Sequence, residues 1–415
     1  MFLLYRFLIN LVCFLSPLII IFRILKKKED IKRFKEKFSI TNLKRPKGNL
    51  IWFHACSVGE LKSIVPLIIN FEKNKNVNNI LITTSTLSSS KVFTKLNFKK
   101  TIHQFFPIDS WYLTNKFLDQ WRPNKVIFVE SEIWPNMLMN IKRRKIPSIL
   151  LNARITKKTF FRWKKINSFS NKIFQIFDKI FPQSKETKNF LNILGIKNTK
   201  IIGNLKYCDN SLTKIKNISF KNKNFFKNKN IICASSTHEG EESLFGKIHS
   251  KNKNKINKLL TIIIPRHVDR SQGIKSKLDE MNLKVHMHSS NKRIDKNTDI
   301  YLVDTYGETN IFYNLSNIVF LGGSIINRGG QNPLEPARLG CKILHGPYIH
   351  NFKEIYSFLK KIKIATKFTN ESSLSQIINN KIVTRSKKKN KLLSNIGNKI
   401  LKKTIGEINS ISNAI

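Results

Sequence analysis

The chain has 415 residues, too many for one ordinary hydrophobic core and enough for two domains of conventional size. Its 75 Lys+Arg against 26 Asp+Glu give a formal net charge of +49, which points to an anionic partner: nucleic acid, acidic lipid or a phosphorylated substrate. The five cysteines, Cys13, Cys56, Cys208, Cys233 and Cys341, are scattered without a Cys-x-x-Cys pair, so neither a disulfide framework nor a zinc knuckle is indicated and a reducing cytosol fits.

Residues 1–25 are almost wholly apolar, interrupted by Arg6, Asn10, Ser16 and Arg23, and Lys26-Lys27-Lys28 follow at once. A bilayer span needs about 20 apolar residues, so this run predicts an uncleaved membrane anchor, spanning or lying in the interface, with the lysines and the rest of the chain on the cytoplasmic side. Pro17 is expected to kink a span. Apolar strand-like runs then recur at 50–54, 80–84, 125–130, 148–152 and 179–182 with helical stretches between them. A second series follows at 231–235, 259–265, 300–304, 317–322 and 342–345. Each series predicts a parallel sheet flanked by helices, and the Lys/Asn/Ser-rich stretch 211–230 predicts a linker between two α/β lobes, 26–210 and 231–415. Ligand binding is expected between the lobes. No Gly-x-Gly-x-x-Gly or Walker loop is present, so a dinucleotide or triphosphate site is not supported.

Several strand ends carry chemistry-bearing residues. Glu60 follows the 50–54 run at the expected start of a helix, where the macrodipole favours an ionised carboxylate suited to general-base work. Ser57-Val-Gly-Glu60 equally fits a capping box. Glu130, after the 125–130 run, serves either to order a base or an incoming hydroxyl, or to cap the helix expected near Pro135. Arg154 after Asn152-Ala153 suits a phosphate or carboxylate and equally a structural ion pair, and Lys206 in Gly203-Asn-Leu-Lys206 offers a cation for a departing phosphate. In the second lobe Ser236 and Thr237 sit at a strand-to-helix turn able to receive a phosphate, and Arg266 and His267 follow the 259–265 run. Tyr306-Gly307-Glu308 and the glycine-rich approach to Asn332-Pro333-Leu334-Glu335 describe a nucleotide pocket, with Asn332 as cap, Pro333 at the first helical position and Glu335 either facing ribose hydroxyls or closing a capping box with Asn332. His286 and His288 share a strand face without a further ligand nearby, so no metal site is expected.

These motifs, taken in order, resemble the 3-deoxy-D-manno-octulosonic acid (Kdo) transferases of lipopolysaccharide synthesis. The resemblance rests on the apolar start, Trp52-Phe-His-Ala through Glu60, Glu130-Ser-Glu-Ile-Trp-Pro, Asn152-Ala-Arg, Gly203-Asn-Leu-Lys, Pro265-Arg-His, Gly307-Glu and Asn332-Pro-Leu-Glu. It implies an inverting glycosyltransferase of the GT-B class, two Rossmann-like lobes with an interdomain cleft and an N-terminal anchor helix. The implied donor is CMP-Kdo and the implied acceptor a lipid A precursor, lipid IVA, at the cytoplasmic face of the inner membrane. Carried onto this chain, Glu60 takes the role of base, and Glu130 and Lys206 stabilise the transition state. Pro265, Arg266, His267, Tyr306, Gly307, Glu308 and Asn332 to Glu335 then hold the nucleotide. No cofactor or metal is implied. Gln331 stands where the family usually has histidine. The competing readings are another GT-B transferase with a different sugar nucleotide, and a membrane-tethered nucleic-acid binder.

Overall fold

A computed structural model describes residues 1–75, 77–208, 223–382 and 391–411. The chain divides into two compact units, Met1–Asp209 with Ile396–Ile415, and Asn210–Asn395.

The first unit opens with α1 (Phe2–Leu25) and continues through β1 (Leu50–His54), α2 (Val58–Lys73), β2 (Asn79–Thr84), α3 (Leu87–Thr94), β3 (Thr101–Phe105) and α4 (Trp111–Trp121). It goes on with β4 (Lys125–Val129), α5 (Pro135–Arg143), β5 (Ser148–Ala153), α6 (Lys157–Lys165), α7 (Asn167–Phe174), β6 (Lys179–Pro182) and α8 (Lys185–Ile193). All six strands are parallel, in the order β3-β2-β1-β4-β5-β6. This is the doubly wound arrangement, and it places the topological switch point between β1 and β4. Side-chain alternation splits the core between the two faces of the sheet. Trp52, Phe128 and Leu150 pack on one, and Phe53, Ile127, Ile149 and Phe181 on the other.

Helices begin immediately after most strands because a hydroxyl is in place to start them. The side chains of Ser57, Thr86, Ser110, Thr156 and Ser184 each accept an N–H from three residues on. Only α5, after β4, departs from this pattern among the strand-following helices of the sheet. Its amides at Asn136 and Met137 donate across the fold to the buried Asp109 carboxylate at 3.0 and 2.8 Å.

The second unit runs α9 (Lys223–Phe226), β7 (Asn230–Thr237), α10 (Glu241–Asn252), β8 (Leu259–Pro265), α11 (Ser271–Asp279), β9 (Val285–Met287) and β10 (Ile300–Leu302). It then runs α12 (Thr309–Leu315), β11 (Ile318–Leu321), α13 (Leu334–Arg338), β12 (Lys342–His345), α14 (Lys353–Lys361), β13 (Ala365–Lys367) and α15 (Glu371–Ile382). Its seven parallel strands lie in the order β13-β12-β11-β7-β8-β10-β9, with the switch point between β11 and β7. The two parallel-sheet α/β lobes are those expected of the GT-B class.

Most of the expected linker, residues 211–222, lies outside the described residues. The expected extent of the second lobe, 231–415, is corrected at its end. From Ile396 onward, α16 (Lys391–Ser410) belongs to the first unit, where Ile400 and Ile408 are buried in its core. The Cys208 thiol donates to the Gly397 carbonyl at 3.3 Å, and a Cβ on Gly397 would meet the Tyr207 carbonyl oxygen at 2.0 Å, so only glycine lets the helix approach so closely.

Candidate active site

The two strands flanking the first lobe's switch point deliver its two candidate carboxylates, Glu60 after β1 and Glu130 after β4. Loops separate in opposite directions there, leaving a crevice at the carboxyl ends of the strands. Glu60 lies in the first turn of α2, and both readings of its motif are physically present. Ser57 Oγ accepts the Glu60 N–H, while the Glu60 carboxylate accepts from Ser57 Oγ at 2.9 Å and from the Cys56 N–H at 2.7 Å. The cap does not silence the carboxylate, because each oxygen keeps a second lone pair.

One expectation is corrected. The helix terminus was to keep Glu60 readily ionised; instead burial, then the charges of Glu132 and Glu130, push its carboxyl up to about 7, against the hydrogen bonds from Ser57 and Cys56. Desolvation and like charge outweigh the caps here. A carboxylate poised near neutrality is better matched to proton abstraction than one with an ordinary acidity.

Glu130 does not cap α5, because Asp109 takes those amides. Its backbone adopts φ +61°, a left-handed conformation costly for a residue with a Cβ, on the order of 1–3 kcal/mol. That turn is fixed on both sides: the Glu130 N–H donates to Leu151 and the Glu130 carbonyl accepts from Arg154. The buried carboxylate then meets Lys206 Nζ at 2.9 Å. Asn152, also left-handed at φ +55°, joins the pieces. Its Oδ1 accepts the Leu205 N–H at 3.1 Å and its Nδ2 lies 3.5 Å from Glu130 Oε1, so the Leu205–Cys208 turn bearing Lys206 is held to the end of β5. Arg154 follows in the same strand-end turn, and its carbonyl accepts from Ser131 Oγ.

Two contributors were not singled out from the sequence. Glu132 is the largest charged influence on Glu60, and His54 Nε2 lies 3.1 Å from Glu132 Oε2. Burial opposes ionisation of Glu132, but the hydrogen bond and charge of His54 and the Trp134 indole hold its carboxyl below the ordinary range. The opposite ring nitrogen of His54 bonds the Thr83 hydroxyl at 2.9 Å, and the ring stacks on Phe106 with centroids 3.9 Å apart. The signal was available in part: His54 ends a strand whose neighbour across the switch point leads into the Glu130–Glu132 turn.

In the second lobe, β7 ends on Ser236, at φ +56°, and Thr237, and the chain then turns into α10; the buried Thr237 Oγ1 has no hydrogen-bond partner among the described residues. Thr237 is therefore a donor awaiting an acceptor. The amides at this turn are less available than expected. The Glu241 carboxylate, in the first turn of α10, accepts from the N–H groups of His238, Gly323 and Ile325, which partly fills the helix terminus proposed for a phosphate. Gly322 must lack a Cβ, since one would meet the Ser236 carbonyl oxygen at 2.2 Å.

Arg266 and His267 extend from the end of β8 beside this turn: the Arg266 N–H donates to the Thr237 carbonyl, and the His267 and His238 rings lie 6.3 Å apart. Burial, then Arg328, His267, Arg266 and Arg270, lower the His238 pKa. The turn is thus ringed by cations, and Arg328 and Arg270 join it without having been anticipated. Pro265 is the buried last residue of β8, and Tyr306 is exposed, its hydroxyl accepting the Val268 N–H at 3.4 Å. Gly307 has φ +94°. Glu308 is engaged within the lobe, accepting from Thr305 Oγ1 at 2.5 Å and lying 3.0 Å from His288 Nε2. Asn332 Oδ1 accepts the Leu334 N–H at 3.1 Å, but α13 starts at Leu334 with Pro333 as its flanking residue, one position later than expected. Glu335, in that first turn, acts electrostatically on Tyr313, whose hydroxyl bonds Ser235 at the end of β7. Glu335 therefore belongs to the same strand-end region as Ser236 and Thr237. Among the described residues no group of three or more His, Cys, Asp or Glu could hold a metal ion.

A family model described as 3-Deoxy-D-manno-octulosonic-acid transferase (kdotransferase) matches residues 32–210. A 3-deoxy-D-manno-octulosonic acid transferase from Rickettsia bellii (strain RML369-C) is 33% identical over 375 residues, 90% of this chain and 89% of the relative. One from Haemophilus influenzae is 30% identical over 324 residues, 77% of this chain and 75% of the relative. Among solved structures, UDP-GlcNAc 2-epimerase from Neisseria meningitidis bound to UDP-GlcNAc superposes with a TM-score of 0.58 over 86% of this chain and 99% of that one. At 14% identity that likeness is one of fold. The extent and identity of the match to the Rickettsia bellii protein place this chain in the family of 3-deoxy-D-manno-octulosonic acid transferases, which are glycosyltransferases.

Proposed function

We propose that this protein transfers Kdo from CMP-Kdo to a hydroxyl of a lipid A precursor, lipid IVA, at the cytoplasmic face of the inner membrane, by an inverting mechanism with Glu60 as general base. The observation that carries this reading is the carboxylate cluster at the first lobe's switch point, in which burial and two neighbouring acids bring Glu60 to about 7. Glu60 takes the acceptor proton as the acceptor oxygen bonds the anomeric carbon. The bond from that carbon to the phosphate oxygen breaks, and CMP departs with the electron pair. Lys206, paired with Glu130 at 2.9 Å before substrate arrives, supplies positive charge against the departing phosphate, and Glu130 orients it. Arg266, His267 and the Thr237 hydroxyl, with Asn332 to Glu335 nearby in the second lobe, hold the nucleotide. Incubating the purified protein with CMP-Kdo and tetra-acylated lipid A precursor, and weighing the product, tests it. Retention of the precursor mass would sink the proposal, as would preferential use of a UDP-sugar.

Three results follow from this assignment. Because only ionised Glu60 can accept a proton, kcat/KM should fall below about pH 7, about tenfold per unit on the acid limb. A profile flat from pH 5.5 to 8 would remove Glu60 as base. Replacing Arg266 with alanine deletes a charged contact worth about 1.5–3 kcal/mol, so the Kd for CMP by calorimetry should rise about 10- to 100-fold while unfolding is unchanged. Since the leaving group bears one phosphate and faces side-chain cations, EDTA treatment should leave turnover intact; loss with recovery on adding magnesium contradicts the assignment.

A further inference from the structure

A helix that crosses a bilayer has to leave its soluble lobe, whereas α1 touches the first unit at both ends. Phe2 meets Phe169 edge-on with centroids 4.9 Å apart and packs against the first core cluster. Tyr5 donates to the buried Asp109 carboxylate at 2.7 Å, the carboxylate that also caps α5. Arg6 donates to Asn136 and lies over the Trp111 ring at 4.1 Å. At the other end Arg23 pairs with buried Glu29 at 2.9 Å, and Glu29 also holds Lys37. With a rise of 1.5 Å per residue, Tyr5 and Arg23 are about 27 Å apart along the axis, nearly the thickness of a hydrocarbon core.

Between these clamps one stripe is covered throughout: Ile9 and Cys13 are half-buried, and Ser16 and Ile20 are buried. Their spacing of three to four residues is that of a single helix face. The helix continues through Pro17, whose missing N–H would strand the Cys13 carbonyl; Ser16 Oγ donates to that oxygen instead, at 2.6 Å. The face away from the stripe carries Leu4, Phe7, Leu11, Phe14, Leu18 and Ile21, all exposed. Cations lie at both ends. Lys26, Lys27 and Lys28 are exposed after α1, and α6, next to the α7 residue that Phe2 touches, exposes Lys157, Lys158, Arg162, Lys164 and Lys165.

Resting on the reading that this protein works at a membrane, we propose that α1 does not cross the bilayer but lies in its surface. It is fastened to the first lobe at its two ends, its Leu4-to-Ile21 face is sunk among acyl chains, and the flanking cations bind anionic lipid phosphates. The occupant of this apolar face is a lipid surface, because the exposed stripe runs straight into the exposed Lys26, Lys27 and Lys28, positive charge suited to phosphate headgroups. A spanning helix would have to pull Tyr5 off Asp109 and carry Arg6 through hydrocarbon.

The test uses the full-length protein, with Cys13→Ala and Cys56→Ala, bound to phosphatidylethanolamine/phosphatidylglycerol vesicles. Nitroxide labels go at Leu4→Cys, Leu11→Cys or Leu18→Cys, one at a time, and a cleavable tag precedes Met1. The expected result is equal immersion of the three labels, about 5–10 Å deep, and removal of the tag by protease added on the lobe side. Depths differing by about 10 Å between successive labels, with a tag protected until the vesicles are opened, would overturn in-plane binding and leave the membrane reading intact. Protein that stays in the supernatant when vesicles are sedimented would overturn the membrane reading and this proposal together.

Discussion

Glu60→Gln should abolish Kdo transfer, lowering turnover by at least about 10³-fold while leaving CMP binding unchanged, because the amide keeps the shape of the side chain and cannot accept a proton. The same substitution should not destabilise the fold at alkaline pH. In the folded protein the Glu60 carboxyl lies at about 7, above its ordinary 4.5, so the fold favours the protonated form. Whatever stability that preference provides is present below about pH 4.5 and is lost as pH rises toward about 7. At about 1.4 kcal/mol per pKa unit, the charge left on Glu60 at pH 8 costs the wild type on the order of 3 kcal/mol, which glutamine avoids apart from weakened caps to Ser57 and Cys56. Denaturant unfolding of the two proteins at pH 5 and pH 8 reads this directly: the variant should gain relative to wild type as pH rises. A variant that is inactive and also uniformly less stable at both pH values would make Glu60 a helix cap whose loss disturbs the site. Activity within tenfold of wild type would end its assignment as base.

The strands were legible because a parallel sheet covered on both faces needs continuous apolar runs, and Leu50–His54, Leu259–Pro265 and Lys342–His345 are such runs. The Thr101–Phe105 strand was missed because its polar Thr101, His103 and Gln104 hide the run. These side chains are nonetheless buried, His103 bonding Arg33 and Gln104 the Trp121 indole. The position of Ile396–Ile415 in the first unit could not be read from local pattern, since an amphipathic helix does not state which core it covers. Within the site, the strand-end rule located Glu60 and Glu130, yet local sequence could not supply their neighbours. Asp109, far from Pro135 in sequence, caps α5 and so releases Glu130 to pair with Lys206. Glu132 and Glu130 act on Glu60 through space from the neighbouring strand end, and His54 holds Glu132. The acidity of Glu60 is thus set by two segments far apart in sequence, 56–60 and 130–132, and the helix terminus in the first of them points the wrong way.

Lys206→Met should be the most damaging single change to stability in the first lobe's site. The pair it breaks is nearly enclosed, with Lys206 and Glu130 side chains 14% and 8% exposed, and methionine keeps the aliphatic length while deleting the charge. What remains is an ionised Glu130 buried without its cation, on a backbone already held at φ +61°. Removing one partner of a buried pair costs about 3–5 kcal/mol, most of it the desolvation of the orphaned charge. The single variant should therefore lose that much in denaturant unfolding. Combining Lys206→Met with Glu130→Gln removes the stranded charge, so the double variant should recover most of the stability, the non-additivity measuring the pair. Transfer activity should not return with it, because the double variant folds but has no cation to meet the phosphate. If Lys206 served only to neutralise Glu130, stability and turnover would recover together, and its place opposite the departing phosphate would have to be given up. A cation required for the transition state predicts the split, with the fold restored and kcat still depressed by about 10²-fold or more.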